Sequence, residues 1–362
     1  MELKTPLYDC HVAAKGKIVP FAGYLLPVNY EAGVIAEHMA VRTQAGLFDV
    51  SHMGEITIKG KDALANVQML VTNECSNMTD GQIKYTTMCN EQGTVVDDLL
   101  VYKVNDENFL LVVNASNRHK DVAWMKAHIF GEVEFADISD DVAQVALQGP
   151  NSLEIIKQIA DEAELPTKYY TFVEHCKVAG KDCLVSRTGY TGEFGYEIYC
   201  SNEDAAHIWN AIMEAGKNHG LIPCGLGCRD TLRFEAGMPL YGHEMDDTIT
   251  PYEAGLGFCV KMSKADFIGK KALEEKGPAT RKCVGLKITG RGIAREHQDV
   301  YADGKKIGFT ASGSHCPYLG GAYATAILDV DYNAIGTKVE VDVRGRRVEA
   351  EIIATPFYKG KK

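Results

Sequence analysis

The chain has 362 residues, 46% hydrophobic and 24% charged, with a formal net charge of −11. That length exceeds one ordinary core, so two or three globular domains are expected. The acidic balance disfavours a nucleic-acid-binding surface, no run approaches the ~20 apolar residues that span a bilayer, and the first residues carry no apolar signal core, so a cytoplasmic enzyme with no nucleic-acid or membrane partner is expected.

Along the chain, residues 31–45 read as a helix, with Val34, Ile35, Met39 and Val41 as its apolar set and Gly46 as its stop. Residues 61–70 read as a second helix. Residues 94–104 and 108–114 are apolar strands around a polar turn, a hairpin signal. Residues 150–163 read as helical. Residues 202–215 read as an amphipathic helix capped by Ser201 or Asn202. A shorter helix is expected over 227–236, stopped by Gly237, and another over 264–275. Beyond 283 the character changes to five short alternating strands, 283–288, 306–311, 321–328, 338–343 and 347–353. Such strands separated by Gly, Asp and Asn predict an all-β module, a small barrel or sandwich. The division expected is an α+β body over 1–275 and a β domain over 280–362.

Eleven cysteines are present, an odd number, with no CxxC pair and with Cys224 and Cys228 as the nearest approach to one. Structural zinc needs four clustered ligands, so buried free thiols and no metal are expected. Gly189-x-x-Gly192-x-x-Gly195 is not the dinucleotide fingerprint, and His243-Glu244 does not continue to a second metal-binding histidine.

Three constellations remain. Asp97 and Asp98 sit inside the apolar run 95–102. Alternate strand residues face opposite ways, so the two aspartates cannot form a paired dyad. A carboxylate there needs a hydrogen-bonding partner, or serves chemistry. The segment 187–198 holds three glycines with Tyr190, Glu193 and Glu197; it is a tight binding loop or an ordinary hairpin turn. The segment 224–237 places Arg229 and Arg233 four apart on one helical face, with Arg229 near the helix start, a site for an anion or carbonyl oxygen, or a surface ion pair.

Taken together these segments resemble the aminomethyltransferase, or T-protein, family of the glycine cleavage system. Its landmarks run nearly end to end: residues 5–8, 41–53, the Asp97-Asp98-Leu99 strand, 113–116, 147–150, 189–193, 229–233 and 266–269. The resemblance implies an α+β, three-domain clover-leaf arrangement with a C-terminal all-β barrel-like domain, and two intertwined α+β domains before it. It implies transfer of an aminomethyl carbon from the lipoylated H-protein to tetrahydrofolate, in a system that includes P-protein and dihydrolipoamide dehydrogenase. It further implies Asp97 as the catalytic carboxylate, Asp98 as structural, and Glu197, Arg229, Tyr190, Tyr241 and Asn114 as folate-binding residues. A basic rim of Arg118, His119, Lys120 and Arg187 is expected to offset the anionic folate tail. The competing readings are a folate-dependent demethylase on the same scaffold, a non-enzymatic folate-binding protein of the same superfamily, and a flavin or nicotinamide oxidoreductase.

Overall fold

In the computed structural model, which describes residues 2–360, the chain folds around two large sheets and a closed barrel, with a small three-stranded sheet beside them. A six-stranded sheet has the order Phe172–Val178, Lys181–Ser186, Gly195–Ser201, Val142–Gln148, Ala45–Asp49, Leu221–Pro223. A five-stranded sheet has the order Ile83–Cys89, Val95–Asn105, Asn108–Val113, Gly54–Lys59, Glu134–Asp137. The chain leaves the first sheet after Asp49, builds the whole second sheet, and returns at Val142. A three-stranded sheet of Leu3–Lys4, Tyr24–Pro27 and Ile18–Phe21 lies at the N-terminal end of the chain.

The C-terminal strands form a closed barrel, which decides between barrel and sandwich. Its strands run in the order Arg281–Ile288, Ala322–Asp329, Lys305–His315, Asp299–Ala302, Lys338–Val343, Arg346–Ile353. Every neighbouring pair is antiparallel, and closure leaves no unpaired edge. The fold is thus α+β, in three modules, with an all-β barrel last.

Each module buries its own core. Leu47, Val145, Leu147, Val185 and Ile198 of the six-stranded sheet pack with Ile208 and Ile212 of the Asn202–Ala215 helix. Ile56, Ile58, Leu99, Val101 and Leu111 pack with Val67 of the Ala63–Leu70 helix and Met125 of the Arg118–His128 helix. Leu286, Val300, Ala326, Leu328, Val341 and Ile352 fill the barrel. Alternate strand residues supply these faces, as the pleat requires.

Three helix expectations shrink. Over 31–45 only Val34–Thr43 is helical, and Gly46, expected as its stop, lies in the strand Ala45–Asp49. Over 150–163 only Ser152–Ile156 is helical, with a 3-10 turn at Glu162–Glu164. Over 264–275 the helix starts only at Lys270, after Gly269 at φ 92°. The left-handed turn there and the Lys264 ammonium, which donates to the carbonyls of Gln68, Val71 and Asn73, hold the preceding residues in a non-helical path. The Asn202–Ala215 helix begins as expected: Ser201 Oγ accepts from Asp204 N at 3.3 Å. We therefore expect Ser201→Ala to lower stability by about 1 kcal/mol, read as a lower urea midpoint at unchanged slope.

Candidate active site

A cavity of about 330 Å³ opens where the modules meet. The five-stranded sheet contributes Asp98, Leu100 and Val112; the six-stranded sheet contributes Gln144 and Glu197. The Leu226–Glu235 helix supplies Arg229 and Phe234, and the barrel side supplies Cys283, Thr325 and Thr355. Apolar and aromatic walls with a few convergent polar groups suit a small organic ligand.

The two aspartates of the pair lie in different surroundings. Asp98 lines the cavity and Asp97 does not. The strand pairing skips Val96, with Met88 opposite Asp97 but Cys89 opposite Val95, and this bulge precedes the pair. Asp97 is 0% exposed and turns away from the cavity toward the Arg118–His128 helix side, where Asn117 Nδ2 donates to its Oδ1 at 2.7 Å. Alternation placed the two on opposite faces; it could not say which face looks at a ligand. Yet one side chain does join them. Asn114 Nδ2 donates to Asp97 Oδ1 at 2.9 Å and to Asp98 Oδ1 at 2.7 Å, and Asn114 N donates to Asp97 Oδ2 at 3.2 Å.

Asp98 also accepts from the Tyr85 hydroxyl at 2.9 Å. Burial, and next the neighbouring Asp97 charge, push its carboxyl up to about 7; the Tyr85 and Asn114 hydrogen bonds oppose the rise. An acid so placed changes charge near neutral pH. Tyr85 lies on the neighbouring strand Ile83–Cys89, opposite Leu100, a cross-strand placement that no local sequence motif signals. Its ring stacks 6.0 Å from that of Phe258, which is 64% exposed and also lines the cavity.

Glu197 is buried on the Gly195–Ser201 strand, and Thr188 Oγ1 donates to its Oε2 at 2.5 Å. Burial raises its carboxyl; the Thr188 bond and the Arg229 charge pull the other way. The Arg229 guanidinium lies over the Tyr190 ring, 4.8 Å from its centroid. It has no ion-pair or hydrogen-bond partner for its side chain among the described residues, and burial lowers it. Glu197, Arg229, Tyr190 and Asn114 thus all reach the one cavity. The Tyr190 hydroxyl is anchored by donating to the Pro239 carbonyl.

The glycine loop is explained by Gln148. A Cβ on Gly189 would meet Gln148 Oε1 at 2.0 Å, and Gly192 adopts φ 78° with Ala236 Cβ only 2.7 Å from any added Cβ. Gln148 in turn accepts from Thr191 Oγ1 at 2.8 Å and donates to the Thr188 carbonyl at 3.2 Å. The close approach fixes Thr188 and Tyr190 against the cavity.

Other expected residues lie elsewhere. Tyr241 is not in the cavity wall; it bridges to Met245 and carries the Lys120 ammonium 3.9 Å above its ring. The expected basic rim does not line the cavity either. Arg118 is paired with Asp137 and Asp140, Lys120 donates to the Val96 carbonyl, and Arg187 lies 3.4 Å over the Phe194 ring. Those side chains are engaged by neighbours that only the fold brings near. Arg233 and Glu193 serve ion pairs, with Asp230 and Glu244 and with Arg42. His52 is buried, and burial followed by the Arg229 charge lowers it to about 4.

All eleven cysteines are free. Cys224 and Cys228 do converge, with Glu37, so that one ligand atom of each lies within 4.8 Å of the others. The Glu37 carboxylate is already engaged, accepting from Tyr30 N at 2.6 Å and Gly225 N at 2.9 Å. No helix among the described residues is long and apolar enough to cross a membrane.

Comparison with known proteins agrees from end to end. Residues 7–264 match the GCVT N-terminal domain, and residues 281–359 match the glycine cleavage T-protein C-terminal barrel domain. The chain is 50% identical to the aminomethyltransferase of Anoxybacillus flavithermus, over 99% of both sequences. It is 50% identical to that of Caldanaerobacter subterraneus subsp. tengcongensis, over 98% of this chain and 96% of the relative. The crystal structure of the glycine cleavage system aminomethyltransferase T from Bartonella henselae superposes with a TM-score of 0.91 at 31% identity, covering 99% of each chain. Full-length coverage at this identity shows that the chain belongs to the glycine cleavage T-protein family.

Proposed function

We propose that this chain transfers the aminomethyl carbon from the dihydrolipoyl arm of H-protein to tetrahydrofolate, releasing ammonia and forming 5,10-methylenetetrahydrofolate. The observation that carries the reading of the site is the meeting of Asp98, Glu197 and Arg229 in one cavity. P-protein and dihydrolipoamide dehydrogenase are the other components of the glycine cleavage system to which it would belong.

Glu197 has one oxygen tied to Thr188 and faces the cavity. A pterin offers a 2-amino group beside an N3–H, two donors that a carboxylate accepts with charge assistance. The unpaired Arg229 guanidinium is free to donate to a pterin acceptor, and Tyr190 supplies a ring beside it. Asn114 orients Asp98.

Asp98, which lines the cavity, takes the chemical role rather than Asp97. Breaking the C–S bond leaves an iminium-like CH2=NH2+ and a lipoyl thiolate. A buried carboxylate stabilises that cation in a low-dielectric site. Folate N5 attacks the carbon, ammonia departs as N10 closes the ring, and the protons shed by N5 and N10 end on the thiolate and on the leaving nitrogen. A carboxyl near 7 can both accept and return such protons.

Asp98→Asn is expected to cost roughly 100-fold or more in turnover of aminomethyl-loaded H-protein, with tetrahydrofolate affinity changed only a few-fold. Glu197→Gln is expected to weaken tetrahydrofolate binding roughly 10- to 100-fold, measured by titration calorimetry. Asp98→Asn keeping its full rate would remove Asp98 from the mechanism.

The ionised form of Asp98 is the active one in this scheme, so kcat/KM falls as pH drops through about 7, where the carboxyl takes up a proton. Tyr85→Phe deletes a hydrogen bond that favours the ionised form. The acid limb of the kcat/KM profile then moves to higher pH; movement the other way contradicts the assignment.

A further inference from the structure

Behind the cavity wall lies a second acid that neither the fold nor the proposed chemistry uses. Asp121, on the Arg118–His128 helix, is 0% exposed, and both of its carboxyl oxygens lack a hydrogen-bond donor among the described residues. A fully buried carboxylate without donors is costly, so such a group is held neutral or paired. The group it meets is Asp97, also 0% exposed. Asp97 is supplied with donors: Asn114 N at 3.2 Å, Asn114 Nδ2 at 2.9 Å and Asn117 Nδ2 at 2.7 Å. Asp97 thus has donors on both oxygens, and Asp121 has none.

We propose that Asp121 is a positioning residue: as the neutral acid it donates its proton to Asp97, and the pair carries one negative charge that Asn114 links to Asp98. The chain of contacts is continuous, because the single Asn114 amide touches Asp97 Oδ1 and Asp98 Oδ1. The pair sets the electrostatic background against which Asp98 gains and loses its proton. Burial, the Asp97 charge and the hydrogen bond to Asp97 all raise the Asp121 carboxyl, and Lys120 opposes them. The titratable and charged groups facing the pair are Asp98 from its own strand, Lys120 from the helix, and Tyr241 from the segment packed on both. Lys120 is spent on the Val96 carbonyl and the Tyr241 ring, so it does not neutralise the pair by an ion pair.

The inference rests on the proposed role of Asp98 for its kinetic consequence, but not for the protonation state. Infrared difference spectroscopy on the full-length protein at pH 7 reads the latter without any turnover. Wild type minus D121N is expected to show a carboxylic-acid C=O stretching band belonging to Asp121; absence of that band overturns the inference. The kinetic arm compares pH profiles. In D121N the amide still donates to Asp97 and the single charge persists, so the acid limb of kcat/KM stays in place and the rate holds within about twofold. In the D97N/D121N double variant the charge is gone, and the limb moves to lower pH by about one unit. A limb displaced equally in both variants overturns the inference, as does a folded D121N that has lost its rate. Should the double variant fail to fold, the infrared band and the D121N profile decide alone. A failure of Asp98→Asn to lower turnover would sink the functional reading while leaving the infrared result standing.

Discussion

The arrangement depends on burying the guanidinium of Arg233 where the Leu226–Glu235 helix meets the barrel. It is 2% exposed, and it donates to Asp230 at 2.8 Å, Glu244 at 3.1 Å and Ser312 at 3.0 Å. Glu244 is completed by Thr325 Oγ1 at 2.5 Å and Leu240 N at 3.0 Å. A buried charge is tolerable only when its donors and acceptors are all met. Meeting them requires the helix, the segment after it and two barrel strands to sit in one relation. Glu244 and Thr325 are also cavity residues, so the same ion pair that joins the modules shapes the site.

A second buried network works on the other side of that helix. Arg42 pairs with Glu193 and Glu235, and its guanidinium lies 4.0 Å from the Tyr358 ring centroid. His38 joins through Glu235 at 3.0 Å and Thr231 at 2.8 Å. The Val34–Thr43 helix, the glycine loop and the C-terminal segment are thereby held to one helix. Arg229 projects from that helix with its own guanidinium left free, which is the condition for it to meet a ligand rather than a neighbour. Rigid support around an uncommitted polar group is what preorganised binding requires.

Charge inside the cavity is distributed rather than cancelled. Glu197 and Arg229 are close enough to influence one another without forming an ion pair. Asp98 is held by a phenol and an amide, neither of which carries charge. An acid kept from a cationic partner is left responsive to a cation formed on a substrate, and burial sharpens that response. Asp97 and Asp121 extend the same logic one layer deeper, away from any ligand.

Much was legible in the chain order itself. Periodicity and capping located the Asn202–Ala215 helix because its apolar stripe and Ser201 cap are local properties. The hairpin of Val95–Asn105 and Asn108–Val113 and five of the six barrel strands followed from alternation and turn residues for the same reason, whereas the four-residue strand Asp299–Ala302 is too short to announce itself. Strand period also determined that Asp97 and Asp98 point apart. It could not determine which of them faces the cavity, because the cavity is made by walls from three modules that are distant in sequence. Tyr85, Gln144 and Phe258 belong to the site for that reason alone, and Arg118 and Lys120 fall outside it because Asp137, Asp140 and a backbone carbonyl engage them first. The sequence by itself determined several helices, one hairpin, five of the six barrel strands and the chemical kinds of residue available. Tertiary packing decided which carboxylate is solvent-shielded, which is shared with another acid and which meets a ligand, since burial and hydrogen-bond partners are set by residues far apart in the chain.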